Sequence, residues 1–101
     1  MKRRKTLDVR IQAIKFDASE KLVAFINKKA ERLQRHYPAI ISADFKLTVV
    51  KPESANNKQV VVKVAFPGGE YVADKTADTF EEAVDVALEA IDRKMEKSKD
   101  K

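Results

Sequence analysis

The first clear pattern lies in LDVRIQA, residues 7–13. Leu7, Val9, Ile11 and Ala13 fall on one face; Asp8, Arg10 and Gln12 fall on the other. A period of two predicts a half-buried strand. The period then changes. In SEKLVAFINKKAERLQRHY, residues 19–37, Leu22, Ile26, Ala30, Leu33 and Tyr37 recur three or four positions apart, with Phe25 beside them. That is the spacing of one helix face. Asp17 with Glu20 predicts a capping-box-like start, and Pro38, which cannot continue a helix, predicts its stop. ISADFKLTVVK, residues 41–51, alternates again: Ile41, Ala43, Phe45, Leu47 and Val49 oppose Ser42, Asp44, Lys46 and Thr48. PESANNK, residues 52–58, is rich in turn formers, and QVVVKVAF, residues 59–66, is rich in β-branched residues and predicts a third strand. Both glycines of the chain sit in Pro67, Gly68 and Gly69, which predict a tight turn into a fourth strand, EYVADK, residues 70–75. Thr79 with Glu82, or Asp78 with Glu81, can open the last helix. Its apolar stripe is Phe80, Ala83, Val84, Ala87, Leu88, Ile91 and Met95.

The predicted order is β-α-β-β-β-α, an α+β fold. Strands two to four can form an antiparallel meander. Each helix has one apolar stripe, so both should pack on the same apolar face of a four-stranded sheet. At 101 residues the chain is expected to be one domain with one modest core. Residues 1–6, MKRRKT, read as a basic arm ahead of a single domain over 7–101. Neither internal repeats nor a dividing linker is visible.

Charge changes this picture more than overall composition does. The net charge is +5, but it is segregated. Residues 1–37 carry 11 basic and 4 acidic side chains, residues 38–92 carry 5 and 10, and residues 93–101 carry 5 and 2. Two basic ends flank an acidic middle, a distribution that suits a polyanionic partner for one face. The helix dipole accounts for Glu81 and Glu82 at the start of the last helix and for Arg93 and Lys94 near its end. It does not account for Lys97, Lys99 and Lys101, nor for the basic run on the first helix. Glu89 is placed to pair with Arg93 one turn on.

No apolar run approaches the ~20 residues needed to cross a membrane. The basic start has no apolar segment behind it, unlike a secretory signal. With no cysteine, disulfides and thiolate chemistry are excluded, and a cytoplasmic setting is expected. Candidate enzyme chemistry is sparse. His36 is the single histidine and sits near a helix C-terminus, where a dipole-stabilised or exposed role suffices. The serines have no base nearby in sequence. The acidic cluster Glu81, Glu82 and Asp85 reads as a solvated helix face before it reads as a cation site. The expectation is a protein that is not an enzyme, with no cofactor, no metal and no small-molecule substrate.

Nucleic-acid binding fits better. Lys28, Lys29, Arg32 and Arg35 span two turns of the first helix, and Arg93, Lys94, Lys97 and Lys99 extend the end of the last. With the helices side by side these groups would make one RNA-facing patch contacting phosphates. The acidic stretch 81–92 is expected to face away from that patch or lie at its rim. The five phenylalanines fall mostly at core positions, so recognition of RNA shape and backbone is the better match than base stacking.

The helices also resemble those of a known family, the bacterial ribosome hibernation promoting factors and ribosome-associated inhibitors. LVAFINKKAERLQRHY resembles its first helix through Leu22, Phe25, Ile26, Lys29, Arg32, Leu33 and Tyr37. FEEAVDVALEAIDRKMEKSKDK resembles its last through Ala83, Val84, Asp85, Ile91, Arg93, Met95, Lys97 and Lys99. Ala13, Glu81 and Ala90 depart from the family's usual glycine, aromatic and lysine. The resemblance implies binding to the small ribosomal subunit and its ribosomal RNA, in the channel for mRNA and tRNA. It implies inhibition of translation by occlusion in idle cells. Ending at Lys101, the chain resembles the short type and is expected to be a monomer off the ribosome. A separate ribosome-pairing factor is the further partner this reading allows. Two other readings stay open: a general double-stranded RNA binder, and a protein-interaction adaptor that uses the acidic face of the last helix.

Overall fold

A computed structural model describes residues 7–51 and 55–99 of the chain, with side chains to residue 97. The expected arm over 1–6 lies outside the described residues. The element order is β1 (Asp8–Ala13), α1 (Glu20–His36), β2 (Ser42–Val49), β3 (Lys58–Phe66), β4 (Gly69–Ala77) and α2 (Phe80–Lys99). This is the expected β-α-β-β-β-α order.

The strands lie in chain order, β1-β2-β3-β4, in one sheet. β1 and β2 pair in parallel, with Ile11 opposite Phe45; β2, β3 and β4 form an antiparallel meander. A parallel pair needs a long crossover, and α1 supplies it. The β3–β4 hairpin closes through Pro67 and Gly68, with Phe66 paired to Gly69. Pro67 restrains the first turn position, and Gly68 takes φ 97°, a left-handed conformation that costs glycine little.

The helix starts follow cap chemistry. Ser19 Oγ accepts the Leu22 N–H at 3.1 Å, so α1 is capped by Ser19. This corrects the expected start at Asp17. The serine oxygen reaches a free first-turn N–H directly. Tyr37 closes the helix by donating its N–H to the Leu33 carbonyl at 2.9 Å. At α2 the Thr79 Oγ1 accepts the Glu82 N–H at 3.1 Å. Asp78, the other expected opener, instead accepts the Asn56 N–H at 2.8 Å and so ties the β2–β3 loop to the start of α2.

Both helices cover one face of the sheet. Phe45 and Leu47 from β2, Val60, Val62 and Val64 from β3, Ile26 from α1, and Val84 and Ile91 from α2 are essentially inaccessible to solvent. Ile41, just before β2, and Val49, its last residue, both expected on the buried face, are exposed. Phe16 stacks on Phe80 with ring centres 5.2 Å apart, joining the β1–α1 loop to α2. Lys29 meets Asp85 and Tyr37 meets Asp92. Contacts that advance together along both helices mean that α1 and α2 run parallel, with both C-termini at one end.

Candidate nucleic-acid interface

The solvent side of α1 is a basic ridge. Its core stripe buries Leu22, Ile26, Ala30 and Leu33, so the residues opposite that stripe point outward. Lys21, Lys28 and Arg35 recur every two turns, and Arg32 lies one turn from Lys28. All four are exposed. Arg32, Arg35 and His36 line a depression of about 290 Å³ at the C-terminal end of the ridge. Lys21 lies off the apolar stripe in the sequence as well, but is not among the residues expected to bind RNA. Its seven-residue spacing from Lys28 was the available signal.

Lys29 behaves differently. It is half-buried; its Nζ lies 2.9 Å from Asp85 Oδ1 across the helix pair and 5.3 Å from the centre of the Phe25 ring. Asp85, Glu89 and Asp92, at helical spacing along α2, line a groove of about 420 Å³ with Lys29, Arg32 and His36. Of the two expected places for the acidic stretch, facing away from the basic patch or at its rim, these three residues do not take the first: they face the basic wall of α1. The parallel packing causes this, because it brings the α2 stripe adjoining Leu88 against α1. The local pair expected between Glu89 and Arg93 does not form. Among the described residues the ion pairs are Lys29 with Asp85 and the exposed Arg10 with Asp8.

At the lower end of the groove, the Tyr37 hydroxyl donates to Asp92 Oδ1 at 2.6 Å. That hydrogen bond, then burial, then the nearby charges of Asp92 and Glu96 push the phenol up to about 12. The buried ring of Tyr37 thus fixes the spacing of the two helices where their basic ends begin.

Beyond Asp92, α2 carries Arg93 and Lys97, exposed and one turn apart. Lys94 points elsewhere. Its Nζ donates to the Val72 carbonyl at 3.0 Å, on the β4 flank of α2, away from α1. Lys99 lies within α2, but its side chain is outside the described residues. By the register of the Lys29–Asp85 and Tyr37–Asp92 contacts, Lys28 lies level with the middle of α2, Arg32 and Arg35 lie near the end of α1, and Arg93 and Lys97 lie on α2 level with Tyr37 and beyond it. Lys29 is bound in the groove, and Lys94 is on another side. Among the described residues, no group of three or more His, Asp or Glu side chains is placed to hold a metal ion, and no helix is long and apolar enough to cross a membrane.

The family described as Sigma 54 modulation protein / S30EA ribosomal protein matches residues 9–101. The chain belongs to this family. A similar curated relative is the ribosome hibernation promoting factor of Azotobacter vinelandii, 26% identical over 95 residues, covering 94% of this chain and 85% of the relative. A ribosomal subunit interface protein from Coxiella burnetii shares the fold with a TM-score of 0.82 at 22% identity, over 93% of this chain and 99% of that one. The Thermus thermophilus Protein Y N-terminal domain does so with a TM-score of 0.72 at 17% identity, over 86% and 93%. The match thus spans both basic helices and all of the sheet but Asp8.

Proposed function

We propose that this protein is a ribosome hibernation factor. It binds the small ribosomal subunit in the channel for mRNA and tRNA and inhibits translation by filling it. The match to the S30EA family over residues 9–101 and the name of the Azotobacter relative support the class. What supports this mode of binding is the parallel helix pair, with Arg32 and Arg35 exposed near the C-terminus of α1 and Arg93 and Lys97 exposed near that of α2. Cations held on rigid helices suit phosphate contacts, which supply affinity without base readout.

Occlusion needs no catalytic group. A body whose Cα atoms span 47 × 33 × 18 Å excludes other ligands by volume once it is anchored. On this reading the protein is not an enzyme and works in the cytoplasm. The test is sedimentation with purified small and large ribosomal subunits at several salt concentrations. The expected result is co-sedimentation with the small subunit alone, lost as salt rises. Equal binding to any RNA duplex would mean a general double-stranded RNA binder. Absence of RNA binding would leave the acidic side of α2 as the working surface.

A further inference from the structure

The sheet face opposite the helices is open, and it carries a second basic cluster. The register places Arg10, Asp44 and Lys63 side by side across β1, β2 and β3. Lys46 lies two residues along β2 on the same face. These four surround a depression of about 400 Å³, with Gln12 and Val61 on its lining. Lys46 and Lys63 are exposed. The Arg10 guanidinium turns to Asp8 at 3.8 Å rather than to Asp44. Asp44 is half-buried, and its Oδ1 is shut off from solvent yet accepts no hydrogen bond.

Aspartate is disfavoured in strands, and a buried oxygen without a donor is rare in folded proteins and calls for an explanation. The site combines three cations, which attract an anion, with one acceptor, which demands a hydroxyl or N–H donor. One RNA unit carries both groups: a phosphate, and a ribose 2′-hydroxyl able to donate. DNA carries only the first.

We propose that this depression is a second RNA contact. It takes one ribose-phosphate step of a single-stranded segment, with phosphate oxygens on Lys46 and Lys63, Arg10 joining them on release from Asp8, and the 2′-hydroxyl donating to Asp44 once its carboxylate turns to bring Oδ1 to the surface of the depression. The cluster spans three strands, about 10 Å, which suits one backbone step rather than the broad groove of a duplex. This rests on the RNA-binding reading above and extends it. The protein becomes a plate 18 Å thick in its smallest Cα dimension with RNA held on both faces.

The test measures fluorescence anisotropy of a labelled single-stranded RNA and of a DNA of the same sequence. The proteins are the parent chain, Lys46→Gln with Lys63→Gln, Asp44→Ala, and Arg93→Gln with Lys97→Gln, each checked for its fold by circular dichroism. The lysine pair variant is expected to bind RNA about fivefold or more weakly at low salt, with the log–log salt slope smaller in magnitude by about 0.7 per lysine. Asp44→Ala should strengthen DNA binding by removing a like charge but not RNA binding, so the RNA-to-DNA preference falls. If Asp44→Ala strengthens both equally, Asp44 is only a repelling charge and the proposal is wrong. It is also wrong if the lysine pair variant keeps parental affinity and slope. In that case, weakened RNA binding by the Arg93 and Lys97 variant leaves the helix-face reading standing; unchanged binding by every variant overturns that reading as well.

Discussion

The Tyr37 hydroxyl and the Asp92 carboxylate form a short side-chain hydrogen bond, 2.6 Å. Tyr37→Phe should lower stability by about 1–3 kcal/mol, read from urea unfolding, because the lost bond is to a charged group and leaves the ring in place. The pH dependence has a definite sign. The phenol rises from 10.0 to about 12 in the folded state, so folding holds its proton more tightly. The contribution is complete below about pH 10 and fades as pH rises through about 12; parent and Tyr37→Phe stabilities should converge across that window. Leu33, 7% exposed, should cost about 2–5 kcal/mol on truncation to alanine in the same assay, and a loss below about 1 would place it outside the core. Leu33 and Tyr37 were legible as core residues because helical spacing exposes a buried stripe. The partners of Lys29 and Tyr37 were not, because Asp85 and Asp92 belong to the other helix. Local spacing offers Glu89 only Arg93 and says nothing about which faces of two helices meet.

Among the elements, the start of α1 separates two kinds of sequence signal. Asp17 and Ser19 are both good caps by composition, and only geometry chooses between them. Ser19→Ala should destabilise the protein by about 0.5–2 kcal/mol, while Asp17→Ala should change little; thermal unfolding of both variants checks this. Element types and order were readable from the two periodicities, since each strand and helix has one apolar face. Ends were less readable. β4 runs on to Ala77, past the expected end at residue 75, because Lys75 occupies an inward-facing position, opposite Val60, yet is exposed. A charged residue in that position mimics a strand terminus, although Ala73 and Ala77 on either side of it are buried. The open face held a comparable omission. Arg10, Lys46 and Lys63 were each visible as polar strand positions, but their convergence around Asp44 appears only once the register is fixed.

For the whole molecule, parallel helices align two dipoles, with Glu20, Glu81 and Glu82 at the positive ends and Arg35 and His36 in the last turn of α1. The charge reversal along α2 belongs to this polarity. Replacing Arg93, Lys97 and Lys99 together by glutamine should preserve the fold, weaken small-subunit binding and relieve inhibition of translation in vitro. The log–log salt slope should shrink by about 0.7–0.9 for each lost phosphate contact. Unchanged inhibition at parental concentration would make the patch a solvated helix end. Deleting residues 2–5 should weaken binding at low salt and matter less as salt screens the arm, which the same sedimentation series measures. Basic ends were plain in the sequence. What it concealed is that the groove between the helices is partly neutralised from within by Asp85, Glu89 and Asp92.

The place of α2 in the core also bears on when this protein becomes active. Ala83, Val84, Ala87, Leu88, Ile91 and Met95 are all buried, and they cover the β3 and β4 side of the sheet. Domains emerge from synthesis N-terminal part first, so α1 and the strands leave the exit tunnel while their cover is still inside it. Until the stretch through Met95 is free, nothing seals Val60, Val62 and Val64, and Tyr37 has no Asp92 to hold it. The basic ridge of α1 is then not yet set beside the cations of α2. On the function proposed above, a chain still being made is thus a poor competitor for RNA on the ribosome that is making it, because its binding surface is complete only once the stretch through Met95 has cleared the exit tunnel.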